Sequence, residues 1–85
     1  VDRHRRAFMT PAPLTHIERC RDDALAFVAI AREGAPNALA DASDLLFELG
    51  HMQFGYVHDT LKRARLYALR DEAVRDINRA IEDAE

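Results

Sequence analysis

A chain of 85 residues, 48% hydrophobic and 32% charged, makes one small domain that buries only about 60–65% of its unfolded surface. Cys20 is the only cysteine, which excludes an intrachain disulfide, and a formal net charge of −3 argues against a general nucleic-acid binder. The longest unbroken apolar run, residues 24–31, falls well short of the roughly 18 residues a bilayer span requires.

Residues 1–14 read as a segment without regular structure, and residues 15–85 as a single helical domain. Arg3, Arg5 and Arg6 are followed only by Ala7-Phe8-Met9 and then prolines, which does not make a secretory signal. Met9 before Thr10-Pro11-Ala12-Pro13 resembles a native start, so residues 1–8 are expected to be upstream sequence. The expected location is cytoplasmic, in keeping with a lone thiol at Cys20.

Thr15-His16-Ile17-Glu18 has the form of a capping box, in which hydroxyl and carboxylate each satisfy an orphan amide. Ile17, Cys20, Ala24, Phe27, Val28 and Ala31 recur at three- and four-residue spacing, the stripe of a core-facing helix. Cys20 is therefore expected to be a small buried hydrophobe; without a second thiol, a metal-binding or reactive role is not expected of it. Gly34 suits the left-handed position after a helix, and Pro36 forbids continuation, so the pattern predicts a first helix over 15–33.

A second helix is expected from Asn37. Ala38, Ala42, Leu45, Leu49, Met52 and Tyr56 form one stripe, and Phe47, Phe54 and Leu61 form another nearly opposite. Asp41, Asp44, Glu48, His51, Gly55, His58 and Lys62 run between them as a polar lane. Gly50 and Gly55 each cost about 1 kcal/mol inside a helix, which makes a break there the alternative reading. The charge order favours continuity: the charged residues from Glu33 to Asp59 are all acidic and those from Lys62 to Arg70 all basic, as one long helix dipole prefers. The prediction is a long helix over 37–69. Asp71 to Ala84 follows as an amphipathic segment with Ala73, Val74, Ile77, Ala80 and Ile81 on one face.

The expected fold is all-α: an antiparallel helical hairpin with a long second helix and a C-terminal third segment, assembling into a dimeric helical bundle. Two opposed apolar stripes on one helix need cover on two sides, so Phe47, Phe54 and Leu61, with Tyr56, are the expected interface.

Chemistry has fewer supports. Glu48-Leu49-Gly50-His51 places a carboxylate and an imidazole at i,i+3 on one helical face, and Glu18 lies across the predicted hairpin from about position 52. This spacing resembles the ferritin-like di-iron carboxylate proteins, especially half-size members that complete their site by dimerising. The resemblance implies iron held by Glu18, Glu48 and His51 from each of two chains. Against it stands a simpler use: Glu18 caps its helix, while Glu48, His51 and His58 form a solvated or interfacial lane. Lys62, Arg63, Arg65 and Arg70 are spread around a helix with only Tyr67 as a stacking neighbour, so nucleic-acid binding is not expected. Membrane-surface binding is disfavoured because the apolar segments lack a basic opposite face. Ser43 is the only serine, no histidine is near it in helical register and no Gly-rich phosphate loop exists, so nucleophilic catalysis is not supported. The expected function is a non-catalytic interaction or oligomerisation module, an adaptor or regulator without a cofactor, partnered by itself or by another protein. A dimeric di-iron protein is the alternative.

Overall fold

The computed structural model describes residues 12–85; the reading of residues 1–8 as upstream sequence lies outside them, and of the segment 1–14 read as without regular structure only 12–14 are described, with Pro13 and Leu14 already helical. Three helices make up the described chain: α1 (Pro13–Arg32), α2 (Ala38–Gly50) and α3 (Thr60–Ala84). Each packs against both of the others. No described helix is long and apolar enough to cross a membrane.

The first helix starts two residues earlier than the capping box suggests. Pro13 occupies its first position, where a fixed φ suits the helix and a missing N–H costs nothing. Ala12 is the N-cap and contributes no side-chain hydrogen bond, so Thr15 and Glu18 lie inside the helix rather than capping it. The other end closes as expected. Gly34 has a positive φ of 123°, and its N–H donates to the Ala31 carbonyl at 3.2 Å. The Ala35 N–H reaches back to the Ile30 carbonyl at 3.3 Å, completing the paired bonds of a Schellman motif.

Ile17, Cys20 and Ala24 of α1 meet Leu49 of α2, Phe54 of the connection, and Leu66, Ala73 and Ile77 of α3 in one buried cluster. The stripe read along α1 is thus the face turned to the core. Among the described residues the buried set contains no charged or polar side chain besides the thiol of Cys20.

The predicted long helix over 37–69 does not form. It stops at Gly50, with His51 as C-cap, and the chain runs without helix from 51 to 59 before Asp59 caps α3 by accepting from the Lys62 N–H at 3.0 Å. The longest helix is therefore the third, at 25 residues, against 13 for α2. Two causes act together. Glycine at the end of α2 weakens propagation, and α3 offers the connection better partners than a helix would.

Three α3 side chains, Arg63, Tyr67 and Arg70, lie on one face at four- and three-residue spacing and hold the connection. Arg63 Nη1 donates to the Val57 carbonyl at 2.9 Å and Arg70 Nη1 to the Met52 carbonyl at 2.8 Å. Between them the Tyr67 hydroxyl accepts from the Phe54 N–H at 3.0 Å and donates to Gln53 Oε1 at 3.2 Å. The Phe54 ring meets Tyr67 edge-on with centroids 5.0 Å apart, and the Arg70 guanidinium lies over the Tyr67 ring, 4.9 Å from its centroid. The basic run thus ends up near the start of α3, against its dipole, and offsets that cost by satisfying carbonyls of the connection.

Candidate functional site

With the second helix divided, the stripe Phe47–Phe54–Leu61 is dispersed. Phe54 is 2% exposed and packs inside its own chain, which removes it from any outer surface. Phe47 on α2, Tyr56 in the connection and Leu61 at the start of α3 are 68%, 64% and 84% exposed. Tyr56 and Leu61 are brought together around a groove between the start of α1, the connection and the start of α3. One arm of it, about 670 Å³, is lined by Leu14, Leu61, Leu66 and Leu69 together with the charged Asp59, Lys62 and Arg65. The adjoining arm, about 410 Å³, shares Leu14, Lys62 and Leu66 and adds Pro13, Tyr56 and Val57. Leu14, itself 44% exposed, belongs to this surface and was hidden in sequence by its place beside prolines in a stretch read as unstructured.

Phe47 lies elsewhere, on the outer face of α2. Asp44, one turn earlier on the same face, is exposed beside it. The ring stacks against His51 at 4.1 Å, and His51 Nδ1 donates to the Phe47 carbonyl at 2.8 Å.

Within one chain the three residues of the di-iron resemblance do not form a group. Glu18 is exposed on α1, about 200° around the helix from His16 at 3.6 residues per turn, and His51 is tied to the end of its own helix. Glu48 instead meets His16 and Cys20. His16 Nε2 lies 3.3 Å from Glu48 Oε2, and Cys20 Sγ donates to the same oxygen at 3.7 Å. One ligand-type atom from each of the three falls within 4.8 Å of the others. The sulfur is buried; His16 and Glu48 keep 41% and 56% of their side chains exposed. Burial pushes the Cys20 thiol up from 9.0 to about 11, and the Glu48 carboxylate beside it acts in the same direction. The sequence signal for this cluster is His16-x-x-x-Cys20, an i,i+4 pair on one helical face; Glu48 joins it only through tertiary packing.

Comparison of the chain with protein-family models, curated proteins and solved structures returns no match.

Proposed function

We propose that this chain is a small non-catalytic interaction module that assembles with a second copy of itself, the exposed Phe47 of each copy entering the groove of the other. The observation that carries the reading is the pairing of one exposed aromatic knob with one apolar groove on the same molecule. Large apolar side chains clustered at a surface mark interaction sites more often than accident. Charge supports the same partner: Asp44 flanks the knob, while Lys62 and Arg65 outnumber Asp59 along the groove, so each copy carries both halves of the pairing. Knob-to-groove contact made reciprocally is a closed twofold arrangement rather than an open chain. A cytoplasmic setting goes with this reading, because Cys20 is a free thiol.

Sedimentation equilibrium across the micromolar range tests it. The expected result is a dimer that Phe47→Ala and Leu61→Ala each weaken at least about tenfold, equivalent to roughly 1.4 kcal/mol. Lys62→Glu should weaken it too, and Asp44→Lys added to Lys62→Glu should restore part of the loss. Both apolar variants alter exposed side chains, so helicity should be unchanged. A monomer throughout the range, or a dimer indifferent to both apolar variants, overturns the proposal.

A further inference from the structure

A second surface feature stands apart from the groove and does not depend on it. We propose that His16, Cys20 and Glu48 form a mononuclear site for a divalent transition-metal ion of the zinc class, held between α1 and α2.

The donor set is the first argument. A thiolate, an imidazole and a carboxylate are the three side-chain donors zinc takes, and three of them with an open fourth position is a common arrangement for an accessible ion. The soft sulfur selects against magnesium and calcium, which prefer oxygen shells. A thiolate and a carboxylate together also balance the charge of a divalent cation.

Distances are the second argument. With bonds of about 2.1 Å to nitrogen and oxygen and about 2.3 Å to sulfur, a tetrahedral ion keeps its nitrogen and oxygen ligands about 3.4 Å apart and its sulfur and oxygen about 3.6 Å apart. The corresponding separations are 3.3 Å from His16 Nε2 to Glu48 Oε2 and 3.7 Å from Cys20 Sγ to the same oxygen. The third edge, sulfur to nitrogen, lies within 4.8 Å and closes by rotation of the half-exposed His16 ring.

The third argument is how the fold presents the donors. His16 and Cys20 stand one turn apart on the same face of α1, so the helix backbone presets two ligands before any ion arrives. Glu48 reaches across from α2. The sulfur forms the floor of the site and the two exposed ligands its mouth, which gives an ion a path from solvent. On binding, the Cys20 S–H bond breaks, a metal–sulfur bond forms and the proton leaves to water; His16 binds as the neutral imidazole through Nε2. No electron changes hands. The site is distinct from the set of Glu18, Glu48 and His51: it holds one ion, is complete within one chain and contains sulfur.

Cobalt(II) titration of the full chain is the test, because a cobalt–thiolate bond gives a near-ultraviolet charge-transfer band and tetrahedral cobalt gives intense visible bands. The expected result is saturation at one equivalent, bleaching of both bands by added zinc, and a rise in melting temperature with zinc, since the ion binds only the folded arrangement. Cys20→Ser should abolish the charge-transfer band. Glu48→Gln and His16→Ala should weaken binding at least about tenfold, whereas Glu18→Gln and His51→Ala should leave it unaltered. If circular dichroism finds Cys20→Ser unfolded, the two exposed-ligand variants decide. Absence of both bands in the wild type overturns the proposal, as does binding indifferent to Glu48→Gln and His16→Ala, or binding lost with Glu18 or His51.

Discussion

The two connections between helices solve the same problem by different means. The turn from α1 to α2 is closed by backbone alone: Gly34 takes a positive φ, and successive N–H groups return to the carbonyls of Ile30 and Ala31. Every residue from 33 to 37 is exposed. The connection from α2 to α3 is held by side chains reaching from α3, and it sends Phe54 into the core. One turn is set by its own residues; the other is set by a helix that the chain has not yet reached.

Phe54→Ala should break this difference most severely. Removing a buried aromatic that joins the connection to the core costs about 3–5 kcal/mol, a large share of what a small domain has. Urea unfolding should find it mostly unfolded or strongly destabilised; a loss below about 1 kcal/mol would mean that the connection is not anchored through Phe54. Next in size is Tyr67→Phe, which keeps the ring and deletes the hydroxyl that accepts from Phe54 and donates to Gln53. An expected loss of about 1–2 kcal/mol follows from leaving the Phe54 N–H without its partner.

Gly34→Ala probes the backbone-closed turn. A Cβ there would meet no atom within 4 Å, so any effect comes from φ and not from crowding. The expected cost is about 1 kcal/mol, read as a lower urea midpoint with unchanged slope. Gly50→Ala should do the opposite. Gly50 ends α2 without a positive φ and with open space where a Cβ would go, so alanine should stabilise by about 0.5 kcal/mol.

A last prediction is read against pH and concerns Cys20. Its thiol is raised from 9.0 to about 11 in the fold, so the folded state holds the proton more tightly than the unfolded state does. That stabilisation is fully present below pH 9 and is lost as pH rises through 11. In metal-free protein, the stability difference between wild type and Cys20→Ala should therefore shift against the wild type over this window. Alkylation of Cys20 should also be slow at pH 8 and accelerate towards pH 11, with Glu48→Gln lowering the midpoint.

Legibility in sequence followed the same division. The apolar stripe of α1, the role of Gly34 and the helical character of all three described segments come from local patterns: periodicity, a glycine and a proline at the right offsets. The break at Gly50 was legible only as an alternative, because the evidence against it was an order of charges with two explanations. Acids followed by bases suit one long dipole, but Arg63 and Arg70 serve equally well to bind the carbonyls of Val57 and Met52. Only tertiary structure separates those uses. The same limit governs the sites. Phe47 and Leu61 belong to one stripe, and Tyr56 to the opposite one, of a continuous helix that does not form; all three are exposed, but Leu61 and Tyr56 line a groove while Phe47 stands apart on α2. Glu48 stood out in sequence, yet the residues beside it are His16 and Cys20, placed there by the packing of α1 on α2.

The backbone-closed turn also marks where this chain can be opened. Inserted residues between Ala35 and Pro36 would displace no buried side chain and no side-chain hydrogen bond, and doubling a flexible loop costs only about 0.6 kcal/mol of closure entropy. The segment from 51 to 59 has no such slack, because Phe54 must keep its register with Tyr67. A reporter domain or an engineered break belongs at position 35–36, where α1 and α2 still meet through their faces.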